Sequence, residues 1–258
     1  MVRMKIISLN IRAWKMFDNL SAYIEEHATD TDIFCFQEVF HTTSDDKRVE
    51  EEYRANLLWA LILLLPDYQV YYAPAQEWYG FKQPVAHHLE RWIALFIKKD
   101  LPVTDHGVGY VYGTYNSKML WTTPMTARNY QWVSLPYGET SLTIAHFHGL
   151  WTWGGKDDTP ERLEQSRVLN DFMDSRDWQV LLLGDYNLNP DTQSLAILTQ
   201  GRRNLISEYK ITTTRSALYT KPLPYADYAI VSPDVPIKSF SVPYTEASDH
   251  LPLEVEVG

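Results

Sequence analysis

The C-terminal region places two side chains that can transfer protons next to each other. Asp249 and His250 are adjacent, and the alternating run from Leu253 to Val257 follows them closely. Alternation of apolar and charged residues predicts a strand with one buried face, so the pair would lie where that strand begins. An imidazole in this position can act as a base or a proton relay, and the carboxylate can assist it or bind a metal. Taken alone, the pair would not define a site.

Three earlier segments share this design, because each brings an amide or a carboxylate to the end of an apolar strand. They are Ser8-Leu9-Asn10, Gln37-Glu38-Val39 and Gly184-Asp185-Tyr186-Asn187. Mg²⁺ prefers hard oxygen ligands, and phosphoester hydrolysis needs neutralised phosphate charge, an activated water and a stabilised leaving oxygen. Four such segments in one chain rarely arise by chance. Together they predict a metal-assisted phosphoester hydrolase, with Glu38 as a metal ligand.

The candidate roles depend on groups that the fold must bring together. His250 can serve as a base or relay only if its ring is held in one tautomer, and Asp227 is the candidate carboxylate for that task. Asp185 can handle a proton, and Asn187 can hold phosphate or metal. Asp249 has two open uses, either as support for the histidine or as a metal ligand.

Two further histidines, His146 and His148, alternate onto one face of a predicted strand. Either could donate a hydrogen bond to a phosphoryl oxygen. We favour His148 because it is nearer the end of the strand, and we interpret His146 as a core residue or as one that supports the site from behind.

The elements that must carry these residues predict two sheets with helices outside them. A strand from Lys5 to Ile11, a helix from Asp18 to Ala28 with an acidic cap and a strand from Ile33 to Val39 form a β-α-β unit. Further strands are expected at Tyr68 to Ala73, Trp92 to Lys98, Gln131 to Leu135, Ser141 to His148, Val180 to Leu183, Tyr225 to Val231 and Leu251 to Val257.

Other patterns predict two more helices and two long loops. Apolar residues at helical spacing indicate a helix from Asp45 to Leu65, and Thr159 before Pro160 is typical of the capped start of another. The stretches Gln76 to Glu90 and Gly109 to Ala127 are rich in aromatic residues, glycine and proline, so we expect loops. Long loops in a compact domain often carry function.

Length and charge limit the classes of function. The chain has 258 residues, 45% of them hydrophobic, which is compatible with one layered domain over residues 1–258. Its formal net charge is −10 and it has no run of Lys or Arg, so tight binding to long duplex nucleic acid through counterion release is not expected. A local basic groove is still compatible with this balance.

The sequence also predicts the cellular compartment and the oligomeric state. Cys35 is the single cysteine, which excludes an intrachain disulfide or a thiolate metal cluster and suggests a buried thiol in a reducing compartment. The amino terminus runs from Met1 directly into the first predicted strand without the pattern of a signal peptide. The apolar stretch Leu57 to Leu65 is too short to span a bilayer. We expect a cytoplasmic monomer.

These motifs, in this order along nearly the whole chain, resemble the endonuclease/exonuclease/phosphatase superfamily. The motifs are Asn10, Gln37-Glu38-Val39, His148-Gly149-Leu150, Gly184-Asp185-Tyr186-Asn187, Asp227-Tyr228 and Ser248-Asp249-His250. The resemblance implies an α/β fold, namely a four-layer α/β/β/α sandwich of two facing mixed sheets with outer helices. It also implies an Mg²⁺-dependent site at one rim, where Mn²⁺ could substitute.

The resemblance also implies a role for each residue. Asn10 and Glu38 would lie at the metal, with Asp249 supporting the metal or the histidine. Asp185 would be the acid/base carboxylate, Asn187 its phosphate-contacting neighbour, Asp227 the residue that orients His250, and His148 the histidine that stabilises the pentacovalent phosphate. For an additional Tyr or Arg that some nucleases use, His106, Tyr110 and Arg128 are the candidates.

The substrate is left open by the fold, since one architecture serves many substrates. The expected activity is hydrolysis of small or single-stranded phosphodiesters, with nucleic acid among the candidate substrates. The alternatives are a phosphatase for sugar phosphates, inositol phosphates or phospholipids, and an inactive binding module. Predicted loops carry aromatic rings (Trp14, Trp78, Tyr79, Trp92, Trp121, Trp151, Trp153) and cations (Lys82, Arg91, Lys118, Arg128, Lys156) that could contact a ligand.

Overall fold

The computed structural model describes residues 3–44, 48–49, 53–80, 83–117, 126–176 and 179–258. For Trp14, Arg48 and Val49 the description covers the backbone alone. Within these ranges, no helix is long and apolar enough to cross a membrane. Lys82, Lys118 and Trp121, three of the candidate loop residues, lie outside the described residues.

The chain alternates strands and helices. The strands are β1 (Met4–Asn10), β2 (Ile33–His41), β3 (Arg48–Val49), β4 (Tyr53–Arg54), β5 (Tyr68–Glu77), β6 (Glu90–Lys98), β7 (Asp105–Tyr112), β8 (Arg128–Tyr137), β9 (Thr140–His148), β10 (Gln179–Asp185), β11 (Arg203–Asn204), β12 (Asp227–Val231), β13 (Ile237–Ser241) and β14 (Leu253–Val257). The helices are α1 (Phe17–His27), α2 (Leu57–Leu64), α3 (Pro160–Asp174), α4 (Gln193–Thr199) and α5 (Leu205–Glu208).

Most strands form two mixed six-stranded sheets. The first has the order β13-β14-β1-β2-β6-β5, and the second has the order β11-β12-β10-β9-β8-β7. Each sheet has one parallel pair in its middle, β1 with β2 and β9 with β10, and its other pairs are antiparallel. Parallel strands carry their carboxyl ends to the same edge, so each sheet presents two strand ends at one rim.

The sandwich follows from apolar residues on both faces of the central strands. In β1, Met4 and Ile6 belong to the core shared with the second sheet, whereas Ile7 and Leu9 pack in a core with α1 and α2. Helices α3, α4 and α5 contribute apolar side chains to the core of the second sheet. Burying one such side chain contributes roughly 1.5–3 kcal/mol. The layers are therefore helix, sheet, sheet and helix, as expected.

Three sequence expectations are corrected by the structure. Helix α1 begins at Phe17 without a side-chain cap, and Asp18 lies in its first turn. The helix expected from Asp45 begins only at Leu57, since Tyr53–Arg54 pairs with β3 instead. Residues 109–112, expected in a loop, complete β7 and pair with β8. In the last two cases strand pairing outweighed the local pattern.

The start of α3 agrees with the sequence. Pro160 is in its first turn, and the Thr159 side chain accepts a hydrogen bond from the backbone N–H of Arg162. The cap stabilises the first turn and fixes the direction in which the preceding loop, residues 149–159, joins α3.

Gly184 allows β9 and β10 to approach near the rim. It adopts φ +134°, and a Cβ atom there would lie 2.2 Å from the carbonyl oxygen of Phe147 on β9. Both the backbone conformation and the close approach exclude a side chain. Glycine at this position therefore sets the spacing between the strand ends that carry His148 and Asp185.

We expect Gly184→Ala to destabilise the protein by about 3–5 kcal/mol, since it combines backbone strain with a steric overlap. Gly138→Ala is the matched control, because Gly138 also has a positive φ (+61°) but no atom lies within 4 Å of its added Cβ. The control should lose only about 1–2 kcal/mol. Urea unfolding of both variants measures the difference, and equal losses would contradict the proposed close approach.

Candidate functional site

The two rims of the sheets meet, and the polar strand ends predicted from the sequence meet with them. Asn10 of β1 is next to Gln37 of β2, and His148 of β9 is next to Asp185 of β10. The Asn10 side-chain nitrogen donates a 3.1 Å hydrogen bond to Asp185 Oδ2. This bond joins the parallel pair of one sheet to the parallel pair of the other.

Asn10 also contacts the second carboxylate of the rim. Its Nδ2 lies 3.3 Å from Glu38 Oε1, and its Oδ1 accepts a 3.0 Å hydrogen bond from the backbone N–H of Arg12. Asn10 is buried, so this bonding leaves its side chain one orientation. It holds Glu38 and Asp185 close together, because both carboxylates accept hydrogen bonds from the same amide nitrogen.

Glu38 reaches the rim through an irregularity in β2. The register of β2 against β6 shifts between Gln37 and Val39, and Glu38 has φ +64°. A bulge of this kind redirects a side chain that regular alternation would send elsewhere. Burial raises the pKa of Glu38, although His250 acts to lower it, and Asp249 raises it further.

A largely buried carboxylate next to other carboxylates favours a bound cation. Glu38, Asp185 and Asp249 influence one another, as the effects of the other two on the pKa of Glu38 indicate. Asp249 Oδ2 lies 3.6 Å from Nη1 of Arg12 and 3.6 Å from Nη1 of Arg215. The donors at this point are carboxylate oxygens, which fit a hard divalent cation.

His250 and Asp227 form the most direct pair of the site. His250 Nδ1 lies 2.9 Å from both carboxylate oxygens of Asp227, and its Nε2 lies 3.6 Å from Asp185 Oδ2. Asp227 of β12 is next to Asp185 of β10 in the sheet, which explains how one imidazole contacts both. The three side chains offer atoms within 4.8 Å of one another. Because Nδ1–H donates to Asp227, we interpret them as a proton relay rather than a metal site.

The two site histidines have opposite pKa shifts. Burial and Arg215 act to lower the pKa of His250, but Asp227 and Asp185 outweigh them and the net shift is upward. His148 Nε2 lies 3.5 Å from Asp185 Oδ2, and its ring stacks on Trp92 at 4.8 Å. Burial and the nearby Arg128 lower the pKa of His148 well below its usual value. Environments that separate two pKa values in this way assign different acid–base tasks to the two groups.

Asp185 lies between these histidines and remains ionised. Burial acts to raise its pKa, but His250, His148 and two cations lower it below the usual range. Asn187 reaches the site through a turn rather than by strand alternation, since its φ is +53° and its backbone N–H donates to Asp185 Oδ1 at 2.9 Å. The turn after β10 therefore also places Asn187 in the candidate site.

A sequence profile described as "Endonuclease/Exonuclease/phosphatase family" matches residues 7–250. The chain belongs to the endonuclease/exonuclease/phosphatase family. A comparison with curated protein sequences found no significant match.

Solved structures share the fold over the full chain. An endonuclease/exonuclease/phosphatase family protein from Leptotrichia buccalis has a TM-score of 0.72 at 16% identity, with 99% of each chain covered. A mannosyl-6-phosphatase from Bacteroides thetaiotaomicron has a TM-score of 0.67 at 15% identity, again with 99% of each covered. D. rerio TDP2 complexed with single strand DNA product has a TM-score of 0.68 at 15% identity, with 100% of each covered. At these identities the likeness concerns the fold.

In this family member the rim opens into a pocket of about 530 Å³. The predicted residues Glu38, His148, Asp185, Asn187, Asp249 and His250 line it. Asn10 and Asp227 lie behind this lining and contact it through Glu38, Asp185 and His250. All eight predicted site residues are thus part of one arrangement.

The less certain candidate residues lie in different places relative to the pocket. Arg128 lines the pocket, whereas His106 and Tyr110 lie on β7 away from the described lining. His146 is buried between Gln37 and Gln131, and burial lowers its pKa to about 3. It is a core residue, as interpreted from its position in the strand.

The pocket also contains residues that the sequence analysis missed. These are Arg12, Tyr53, Thr126, Arg215, Tyr219 and Lys221. Arg12 follows Asn10 by two residues, so a search just beyond each strand end would have found it. Arg215 pairs with His250 through an isolated β-bridge, a contact that no local sequence pattern predicts.

Proposed function

We propose that this protein is a single-domain, Mg²⁺-dependent phosphoester hydrolase that promotes attack of water on phosphorus in small or single-stranded phosphodiesters. The observation that carries the proposal is the buried line from Asp227 through His250 to Asp185, with Glu38 joined to Asp185 through the side-chain nitrogen of Asn10. An oriented imidazole between two carboxylates is suited to proton transfer. A monomer in the cytoplasm is part of the same proposal, and the buried thiol of Cys35 is compatible with it.

Glu38 would hold the metal, with Asn10 and Asp249 beside it; Mn²⁺ would substitute for Mg²⁺ because both accept oxygen ligands. When bound, the ion would neutralise phosphate charge and polarise a phosphoryl oxygen. The proposed fit rests on the buried oxygen donors and on the raised pKa of Glu38, which burial and Asp249 produce.

The remaining residues handle protons and phosphate. His250, held by Asp227, would move a proton at Nε2, the atom that faces Asp185. His148 Nε2 would donate a hydrogen bond to a phosphoryl oxygen, and its stack on Trp92 fixes the ring. Asn187 would contact phosphate from the turn that Asp185 organises.

A phosphomonoesterase is the second candidate, and the charge of the pocket favours it. The described lining contains six Lys or Arg residues and three carboxylates. A monoester dianion would use more of that positive charge than a diester monoanion would. The mannosyl-6-phosphatase is a structural neighbour with this class of activity in its name, and TDP2 with its single strand DNA product supports the diester alternative. An inactive binding module would have no need of the complete Asp227–His250–Asp185 line.

Hydrolysis of bis-p-nitrophenyl phosphate and p-nitrophenyl phosphate, with and without Mg²⁺, tests the proposal. We expect Mg²⁺-dependent release of nitrophenol with higher kcat/KM for the diester. Higher kcat/KM for the monoester would establish the second candidate. Absence of hydrolysis of both substrates with Mg²⁺ or Mn²⁺ would contradict an active enzyme.

A plasmid assay tests the preference for small substrates. Because the net charge is −10, we expect weak nicking of duplex DNA and a shallow dependence of the rate on salt concentration. Efficient nicking at low enzyme concentration, falling steeply with added salt, would instead identify a nuclease for duplex DNA that binds through the cations of the pocket.

A further inference from the structure

The pocket has a local charge opposite to that of the chain. Within its described lining, Arg12, Arg91, Arg128, Lys156, Arg215 and Lys221 face three carboxylates, Glu38, Asp185 and Asp249. The lining therefore carries a formal charge of +3, from six minus three, before any metal binds, whereas the whole chain carries −10. A diester phosphate carries one negative charge, which is less than the formal positive charge of this lining.

These cations lie on two sides of the candidate catalytic residues. On the side of His148, Arg128 lies over the Trp92 ring at 4.1 Å, and that ring stacks on the histidine. On the side of His250 are three cations, Lys156, Arg215 and Lys221, which we call the cationic wall. Arg215 is bridged to His250 by backbone pairing, so the cationic wall begins directly beside that histidine.

Aromatic rings hold the cationic wall in place. The Arg215 guanidinium lies over the Tyr219 ring at 4.1 Å, and Lys156 Nζ is 5.8 Å from the same ring. Lys221 Nζ is 6.0 Å from the Trp151 ring at the pocket mouth. Rings that contact cations in this way restrict their positions without neutralising their charge.

Burial leaves part of this charge without an anionic partner, although Arg215 Nη1 lies 3.6 Å from Asp249 Oδ2. Lys156 is only 4% exposed, and its Nζ donates to the carbonyl oxygen of Tyr225, which has no net charge. Within the described part of the chain, Nε of Arg215 is buried and has no hydrogen-bond partner. Burial and the neighbouring Arg215 lower the pKa of Lys156 to about 8. Two crowded cations with unused donors are typical of a site that binds a phosphate.

We propose that the cationic wall binds a second phosphate group of the substrate, separate from the phosphate that is hydrolysed. The inference rests on the proposed function and narrows it to organic phosphoesters that carry two phosphates. In the proposed function His148 and Asn187 contact the hydrolysed phosphate, which leaves the cationic wall to contact the other. Trp151 and Tyr219 would pack against the carbon skeleton between them.

Calorimetric binding of phosphonates tests the inference without turnover, because their C–P bonds are not hydrolysed. The probes are α,ω-alkanebisphosphonates of two to five carbons and the alkylphosphonates of equal length, titrated at pH 7 in excess Mg²⁺. We expect at least one bisphosphonate to bind about tenfold more tightly than its matched monophosphonate, or ~1.4 kcal/mol. That preference should fall below about threefold in Lys221→Gln and in Lys156→Met.

Lys238→Gln is the control for loss of one positive charge. Lys238 is an exposed lysine paired with Glu256 on β13 and β14, away from the pocket, so this variant should keep the tenfold preference. Lys221 is also exposed, and its replacement should leave the fold unchanged if Lys156→Met proves unstable. Equal affinity for both members of every ligand pair, or a preference that persists in Lys221→Gln, would overturn the inference.

A protein that binds bisphosphonates selectively but hydrolyses no phosphoester would support the cationic wall and contradict the proposed function, so the two failures are distinguishable.

Discussion

Replacing His250 with alanine is expected to lower kcat/KM by about 10³–10⁴-fold, and Asp227→Asn by about 10²–10³-fold. The double variant should be little worse than His250→Ala, because residues that act as a unit lose their function together. The physical reason is the 2.9 Å contact of His250 Nδ1 with both oxygens of Asp227, which fixes the tautomer and orientation of the ring.

The same contact predicts a change in titration. Asp227 and Asp185 raise the pKa of His250 against the effects of burial and Arg215, so Asp227→Asn should lower that pKa. Since the folded-state pKa is raised, the stabilisation is fully present below the unfolded value near 6.5 and is lost as the pH rises through the folded-state pKa. NMR titration of the ring and thermal unfolding between pH 5 and 9 measure both effects.

His106→Ala is the control for this pair, because His106 is an exposed histidine on β7. It should change neither kcat/KM nor the pH dependence of stability. Strictly additive losses in Asp227→Asn, His250→Ala and the double variant would show that the two residues have independent roles.

Glu38→Gln is expected to lower activity by about 10²–10³-fold and to weaken Mg²⁺ binding, while the protein remains folded. The amide keeps the size of the side chain and can still accept the hydrogen bond from Asn10. Only the negative charge that the bulge of β2 brings to the rim is removed. Excess chelator should abolish the activity of the unchanged protein, and activity that persists in chelator would contradict the metal requirement.

Although Glu38→Gln should lower activity, it should raise the stability of the metal-free protein. Burial and Asp249 raise the pKa of Glu38. A raised pKa of an acid means that its ionised form destabilises the fold at any pH above the unfolded value of about 4.3. Thermal unfolding at pH 7 should therefore give a higher Tm for metal-free Glu38→Gln than for the metal-free parent. Added Mg²⁺ should raise the Tm of the parent more than that of the variant. Glu26→Gln, at an exposed position of α1, should show neither effect.

The order of the layers and most of the residues of the candidate site could be predicted from the sequence. Apolar strands with residues for two faces, such as β1, require cover on both sides, so two sheets with outer helices were predictable. Asn10, Glu38, Asp185 and His148 were recognisable because a polar group at the end of a buried strand needs a partner. Helical spacing of apolar residues gave a wrong prediction for residues 48–49 and 53–56, because Tyr53–Arg54 pairs with β3 and the helix begins at Leu57.

Which of these groups contact one another depends on the fold. Asp227 and His250 are 23 residues apart, and their contact depends on the pairing of β12 with β10 and on the bridge from Arg215 to His250. The sign of the local charge was decided in the same way. A formal charge of −10 is a property of composition, but electrostatic attraction depends on distance, and folding gathers six cations around three carboxylates in one pocket.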